Sequence, residues 1–268
     1  MSKIIAIDAG HGMKTAGKRC LKSIDPNQTR EWWLNDRIAD RLETLLADYD
    51  CKVVRVDDTT GAKDISLSAR VKTANNANAD MYISIHHNAG INGGVGGGTV
   101  AYYCSSKAER LRQAMNLYNS IVNKTLLFGN RAEYVIFKNF YVLKHTKMPA
   151  FLIENGFMDS RTDTPVILTN EHAEKTAQGI LEFLVKELGL IRKKATTKPT
   201  TTQSSIYYPA YTGKKTTLSA ALTTLGINST YAFRKQIAKA NGITGYCGTA
   251  TQNTRMYNLL VAGLLKRA

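Results

Sequence analysis

Short apolar runs alternate with longer amphipathic stretches along this chain, and that alternation restricts the fold more than any other feature. The runs at 3–8, 51–56, 81–86, 99–104 and 150–154 have the length and residue types of strands. Helical patterns lie between them. The first opens at Glu31 and puts Trp33, Leu34, Ile38, Leu42 and Leu45 on one stripe. A second starts near Ser66 and carries Leu67, Val71 and Ala74. A third, at about 107–126, has Leu111, Met115, Tyr118 and Val122 in register, and a fourth, at about 171–188, carries Ala173, Ala177, Ile180 and Leu184. Strands separated by helices predict an α/β fold: a mixed, mostly parallel sheet with helices on both faces. Ligand sites in such sheets lie beyond the carboxyl ends of the strands.

Residues of metal-ligand type sit at those ends. His11 follows KIIAIDAG, His86 closes MYISI, Glu154 closes AFLI, and Glu31 opens the first helix. Two neutral imidazoles and a carboxylate make a hydrolytic zinc site with one position open for water, whose pKa then falls towards ~7. A further carboxylate is what such a site needs as a base. Each residue also has a plainer reading. A glutamate in the first turn of a helix commonly just favours the helix dipole. Glu154, desolvated at the end of an apolar run, must be used or paired, and a structural ion pair would serve. The glycines around His11 permit a tight turn that leaves the imidazole open. His87 points to the opposite face from His86 and is not expected to be a ligand. His145 and His172 read as surface residues. The glycine-rich stretch 91–98 lacks the GK[ST] ending of a phosphate loop and reads as a flexible rim loop. No HExxH occurs, which excludes the commonest helical zinc-protease arrangement. The cysteines at 20, 51, 104 and 247 form no CxxC pair, so neither a zinc ribbon nor a disulfide framework is expected.

The charge is unevenly placed. Residues 191–268 contain 12 of the 36 Lys and Arg and no Asp or Glu. They carry +12 of the net +15 and leave +3 for residues 1–190. Such a field favours an anionic polymer or surface: nucleic acid, anionic lipid or the teichoic acids of a bacterial wall. Residues 191–205, rich in Thr and Lys, read as a linker. They divide the chain into domains at 1–190 and 206–268. The second shows three short helical patterns punctuated by glycine, near the lower size limit for folding alone. No run approaches the length of a membrane span, and the N-terminus enters strand-like sequence with no signal peptide.

Read in order, IAIDAGHG, the Glu31 helix, SLSARVKTANNANAD, YISIHHNA and PAFLIENGFMDS resemble the zinc-dependent N-acetylmuramoyl-L-alanine amidases of the amidase_3 type over about residues 3–188. The resemblance implies that His11, Glu31 and His86 ligate zinc and that Glu154 is the catalytic acid–base. It raises Glu31 from a doubtful ligand to an expected one. Two departures stand out: His87 where many relatives carry a small residue, and a long polar stretch between His11 and Glu31 that would reshape the cleft. The segments YPAYTG, RKQIAKANGI and GYCGTATQNTRMYNLL resemble small wall-binding modules of clostridial phage endolysins. Tyr207, Tyr208, Tyr211, Tyr231 and Tyr246 would either stack on sugars or fill the core.

The expectation is a two-domain peptidoglycan hydrolase of phage-endolysin type. It would cleave the amide between N-acetylmuramic acid and the L-alanine of the stem peptide in a Gram-positive wall, remaining in the host cytoplasm until released. Its basic domain would bind anionic wall polymers, with neither nucleic acid nor membrane as a partner. A sporulation or mother-cell-lysis amidase of the same chemistry is the near alternative. A basic nucleic-acid-binding protein, with TYAFRKQIAKANGI as a recognition helix, and a non-catalytic wall adhesin are alternatives of other classes.

Overall fold

In the computed structural model residues 2–129, 133–193 and 206–268 are described, and the chain divides into two compact units, Met1–Lys194 and Ala195–Ala268. The first unit runs β1 (Lys3–Ala9), α1 (Glu31–Leu46), β2 (Cys51–Arg55), α2 (Leu67–Asn76), β3 (Met81–Asn88), β4 (Thr99–Tyr103), α3 (Ala108–Thr125), β5 (Val135–Phe137), α4 (Tyr141–His145), β6 (Ala150–Phe157), α5 (Asp163–Ile167) and α6 (Asn170–Leu188). The strands form one sheet in the order β2-β1-β3-β6-β4-β5. Pairing is parallel except between β4 and β6. This is the mixed, mostly parallel sheet expected from the alternation.

The two-residue period of a strand sorts side chains to the two faces. Ile5 and Ile7 of β1, Ile83 and Ile85 of β3, and Phe151 and Ile153 of β6 pack on one face against α1, α3 and α6. All six are fully buried, and each contributes about 1.5–3 kcal/mol. Ala6, Tyr82 and Leu152 take the other face, under Val71 and Ala74 of α2 and Val142 and Leu143 of α4. Continuing the same alternation places Asp8, Ser84, His86 and Glu154 on that second face. Strand register sets Asp8 beside Ser84 and His86 beside Glu154.

The structure refines the sequence expectations in detail. β3 and β6 run on to Asn88 and Phe157, so His86 and Glu154 lie inside strands, near their ends. The buried stripe of α3 is Ala114, Leu117, Tyr118, Ile121 and Val122, while Leu111 and Met115 are exposed. The buried stripe packs on α6, where a Cβ on Gly179 would meet the Ile121 Cα at 2.7 Å. Tyr118 and Val122 of the expected stripe stay buried. Leu67 is exposed because it faces a cleft rather than the core. The loop 91–98 is anchored: Gly90, Ile91 and Asn92 donate backbone N–H bonds to Asp159 at 2.7–2.8 Å, and Gly98 donates to Asp163 at 2.7 Å. Of the segment read as a linker, Ile191 to Lys193 pair with Asp48–Asp50, and 194–205 lie outside the described residues.

The second unit holds α7 (Leu218–Thr224), α8 (Tyr231–Ala240) and α9 (Ala250–Val261). Thr217, Thr230 and Thr249 cap them, the last with a capping box to Gln252. Leu218, Leu222, Ile237, Met256 and Leu260 make its core with Tyr208, Tyr211 and Tyr246. Those three tyrosines therefore fill space, whereas Tyr231 is half exposed. Among the described residues no helix is long and apolar enough to cross a membrane.

A fully buried ion pair joins β1 to α2. Asp8 accepts hydrogen bonds from Arg70, from the Tyr82 hydroxyl at 2.7 Å and from the Ser84 hydroxyl at 2.7 Å. Burial pushes the Asp8 pKa up, but Arg70, then His86 and the two hydroxyls, outweigh it and hold the carboxyl below its usual range. A depressed folded pKa means that this stabilisation is present above the unfolded value and is lost as pH falls through the folded one. Removing one partner leaves an uncompensated buried charge. Arg70→Met should destabilise the chain by about 3–5 kcal/mol in urea unfolding at neutral pH. A loss below about 1 kcal/mol would show that the pair carries no such role.

Candidate metal centre

Three segments bring His11, Glu31 and His86 together. Their ligand atoms all lie within 4.8 Å of one another, the only such group among the described residues. His86 Nδ1 is 2.9 Å from Glu31 Oε1, and His11 Nε2 is 3.3 Å from the same oxygen. The two imidazoles stand perpendicular with centroids 4.9 Å apart. Glu31 begins α1, where the helix dipole favours its charge.

The local sequence explains this geometry differently from the expected glycine turn. The left-handed residue is His11 itself, with φ 68°, a conformation uncommon outside glycine. Gly10 is needed for room, since a Cβ there would lie 2.0 Å from the His86 ring. Arg70 steadies the strained turn by donating to the Ala9 carbonyl at 2.9 Å and the His11 carbonyl at 3.1 Å. The ion pair under the sheet and the site therefore share one guanidinium. Asn35 of α1 holds the same turn by donating to the Gly10 carbonyl at 3.1 Å.

Glu31 is 1% exposed. Burial works to raise its pKa, but the two histidines outweigh it and keep the carboxyl well below the ordinary range. His86 is shifted upward, because Glu31 outweighs the burial that disfavours its charge. Glu154 behaves oppositely. Burial raises its pKa to about 7, with His86 pulling it down and Glu31 pushing it up. A carboxyl poised near neutrality beside a ligand cluster suits proton transfer.

Three buried atoms here lack hydrogen-bond partners: His11 Nε2, Glu31 Oε2 and Glu154 Oε2. Buried carboxylate oxygens and an imidazole nitrogen without such partners suit an electrophile or a proton. Two imidazole nitrogens and a carboxylate oxygen are the donor set that zinc takes in hydrolytic sites. The residues therefore fit the metal that the sequence pattern implies.

The group faces a cleft of about 640 Å³, within the range of small-molecule sites. Asp8, Arg70, His86 and Glu154 line its polar side, and Leu67, Phe140 and Tyr141 supply apolar surface. Lys18 also lines it, with Nζ 3.6 Å from Glu31 Oε2. Sequence reasoning flagged the polar stretch that carries Lys18 but not the residue. It also passed over Asp8, although a carboxylate inside IAIDAG carries the same desolvation signal as Glu154.

His87 lies on the opposite face, as expected. It is buried, and its Nδ1 is 2.7 Å from Asn35 Oδ1. His145 is exposed. His172 is not a surface residue: it is 3% exposed, and its Nε2–H donates to the Asn155 carbonyl at 3.1 Å. Burial, then Arg37, lowers its pKa to about 4 and keeps it neutral. The polar start of α6 hid a histidine that turns inward under β6.

Comparison with known proteins finds relatives over the first unit. The amidase_3 family, described as N-acetylmuramoyl-L-alanine amidase, matches residues 5–186. An endolysin of Bacillus phage SPP1 is 28% identical over 201 residues, covering 74% of this chain and 71% of that protein. A sporulation-specific N-acetylmuramoyl-L-alanine amidase of Bacillus subtilis is 31% identical over 175 residues, covering 65% of this chain and 64% of that protein. The crystal structure of an N-acetylmuramoyl-L-alanine amidase from Clostridium difficile 630 superposes with a TM-score of 0.62 at 29% identity, over 70% of this chain and 97% of that one. The family match spans well over half of the sequence, and the chain belongs to the amidase_3 family of N-acetylmuramoyl-L-alanine amidases.

Proposed function

We propose that this chain is a zinc-dependent peptidoglycan hydrolase that cleaves the amide between the lactyl carbonyl of N-acetylmuramic acid and the L-alanine nitrogen of the stem peptide. The observation that carries the reading is the convergence of His11, Glu31 and His86 beside Glu154 in an open cleft. Those three residues would hold the metal. When bound, zinc supplies Lewis acidity, polarising the scissile carbonyl and lowering the pKa of water.

The chain's own residues do the rest. Glu154, with a pKa of about 7, takes a proton from the attacking water and returns one to the departing amine as the C–N bond breaks. Arg70 and Asn35 fix the turn that carries His11, so the cluster is set before substrate arrives. The apolar surface of Leu67, Phe140 and Tyr141 excludes water from one side of the cleft.

The second unit, with eight Lys and Arg and no acid in 206–268, would carry the catalytic unit to anionic polymers of a Gram-positive wall. Similarity to the SPP1 endolysin supports a phage lysis enzyme, released from the host cytoplasm to the wall. The similarity to the sporulation-specific amidase favours a second reading, the same chemistry in mother-cell lysis.

Digestion of purified walls tests the bond assignment: new L-alanine amino termini should appear while glycan strands stay intact. New reducing sugar ends in their place would make the enzyme a glycosidase. Glu154→Gln should lower turnover by about 10²–10⁴-fold with the zinc content unchanged by elemental analysis. Near-full activity in that variant would remove Glu154 from the mechanism.

A further inference from the structure

The second unit has a cavity of its own, of about 270 Å³. It is bordered by Thr216 and Ser219 at the start of α7, by Arg234 of α8, and by Asn253, Thr254 and Tyr257 of α9. The volume is just below the ~300 Å³ at which sites for drug-sized molecules begin, so it suits one sugar ring or one short polyol unit.

Its polar groups are partly committed and partly open. Arg234 donates from Nε to the Tyr246 hydroxyl at 3.0 Å and from Nη1 to the Ser229 carbonyl. Tyr246 in turn donates to Asn253 at 2.6 Å. The guanidinium is thus held in place while Nη2 has no partner among the described residues. Tyr257 is fixed by its hydroxyl, which donates to the Lys215 carbonyl at 2.7 Å, leaving its ring as a cavity wall. The hydroxyls of Thr216, Ser219 and Thr254 likewise have no partner among the described residues. An oriented cation, an aromatic ring and free hydroxyls around a ring-sized space are the elements of a site for a charged sugar. No acidic residue occurs in 206–268 to oppose an anion.

We propose that this cavity binds one phosphate-bearing sugar or polyol unit of an anionic wall polymer, with Arg234 on the phosphate and Tyr257 against the apolar face of the unit. The inference rests on the reading of the second unit as the wall-binding part, and it names the site and the chemistry. The other cations of the unit give attraction that salt screens, whereas the cavity recognises the repeat itself.

The test uses the full chain carrying Glu154→Gln, sedimented with purified Gram-positive walls and with the same walls stripped of phosphate polymers by hydrofluoric acid, at about 0.15 M salt. Binding should fall at least about tenfold on stripped walls, as for loss of a charge-assisted hydrogen bond. Arg234→Met, and Ser219→Trp, which fills the space without removing an internal bond, should each fall as far on intact walls. Lys239→Met removes one charge outside the cavity and should change binding less than about twofold. Equal binding to stripped walls, or equal losses in all three variants, would overturn the cavity proposal while leaving wall binding in place. No binding by the parent chain to either preparation would instead reject the wall-binding reading, and the cavity with it.

Discussion

Glu31 is 1% exposed yet held in its charged form, and a carboxylate at that depth is costly unless positive charge or donors meet it. What meets it here comes from separate parts of the chain: His11 from the turn after β1, His86 from β3, and the backbone N–H of His87 at 3.3 Å. The need to compensate one charge therefore draws together the segments that make the site. Under it, Arg70 spans Asp8 and the carbonyls of Ala9 and His11. A single guanidinium thus couples the stability of the sheet to the placement of His11. The strained φ of His11 persists because Arg70 and Asn35 hold the peptides on either side of it.

Much of this was legible in the residue order. His86 and Glu154 fall on one sheet face by strand parity, and parallel pairing of β3 and β6 makes them neighbours. His87 falls on the other face by the same parity. Glu31 was harder to read, because a first-turn glutamate looks the same whether it serves the helix dipole or a metal. The ring-sized gap beside Gly10 depends on the position of His86 in another strand, which no local pattern reveals. His172 and the α3 stripe were misread for a related reason. His172 is decided by its contact with Asn155 of β6 and the α3 stripe by its packing on α6 at Gly179, neither of which hydropathy encodes. The short edge strand β5 and the helices α4 and α5 are too brief to show a period.

The two units place their charges differently. The first concentrates its buried charge: Asp8, Glu31, Arg37 and Arg70 are all at most 6% exposed. The second has an apolar core of leucines and tyrosines, and keeps its cations outside that core. Desolvating a few groups and orienting them is what a catalytic site requires.

The central claim is that His11, Glu31 and His86 form one zinc site with Glu154 alongside but outside the ligand set. An anomalous-scattering crystal structure collected at the zinc edge tests it most directly. The account predicts a single strong peak within about 2.0–2.2 Å of a nitrogen of each histidine and an oxygen of Glu31, with Glu154 unligated. A peak elsewhere, or Glu154 in place of one of the three, would contradict it.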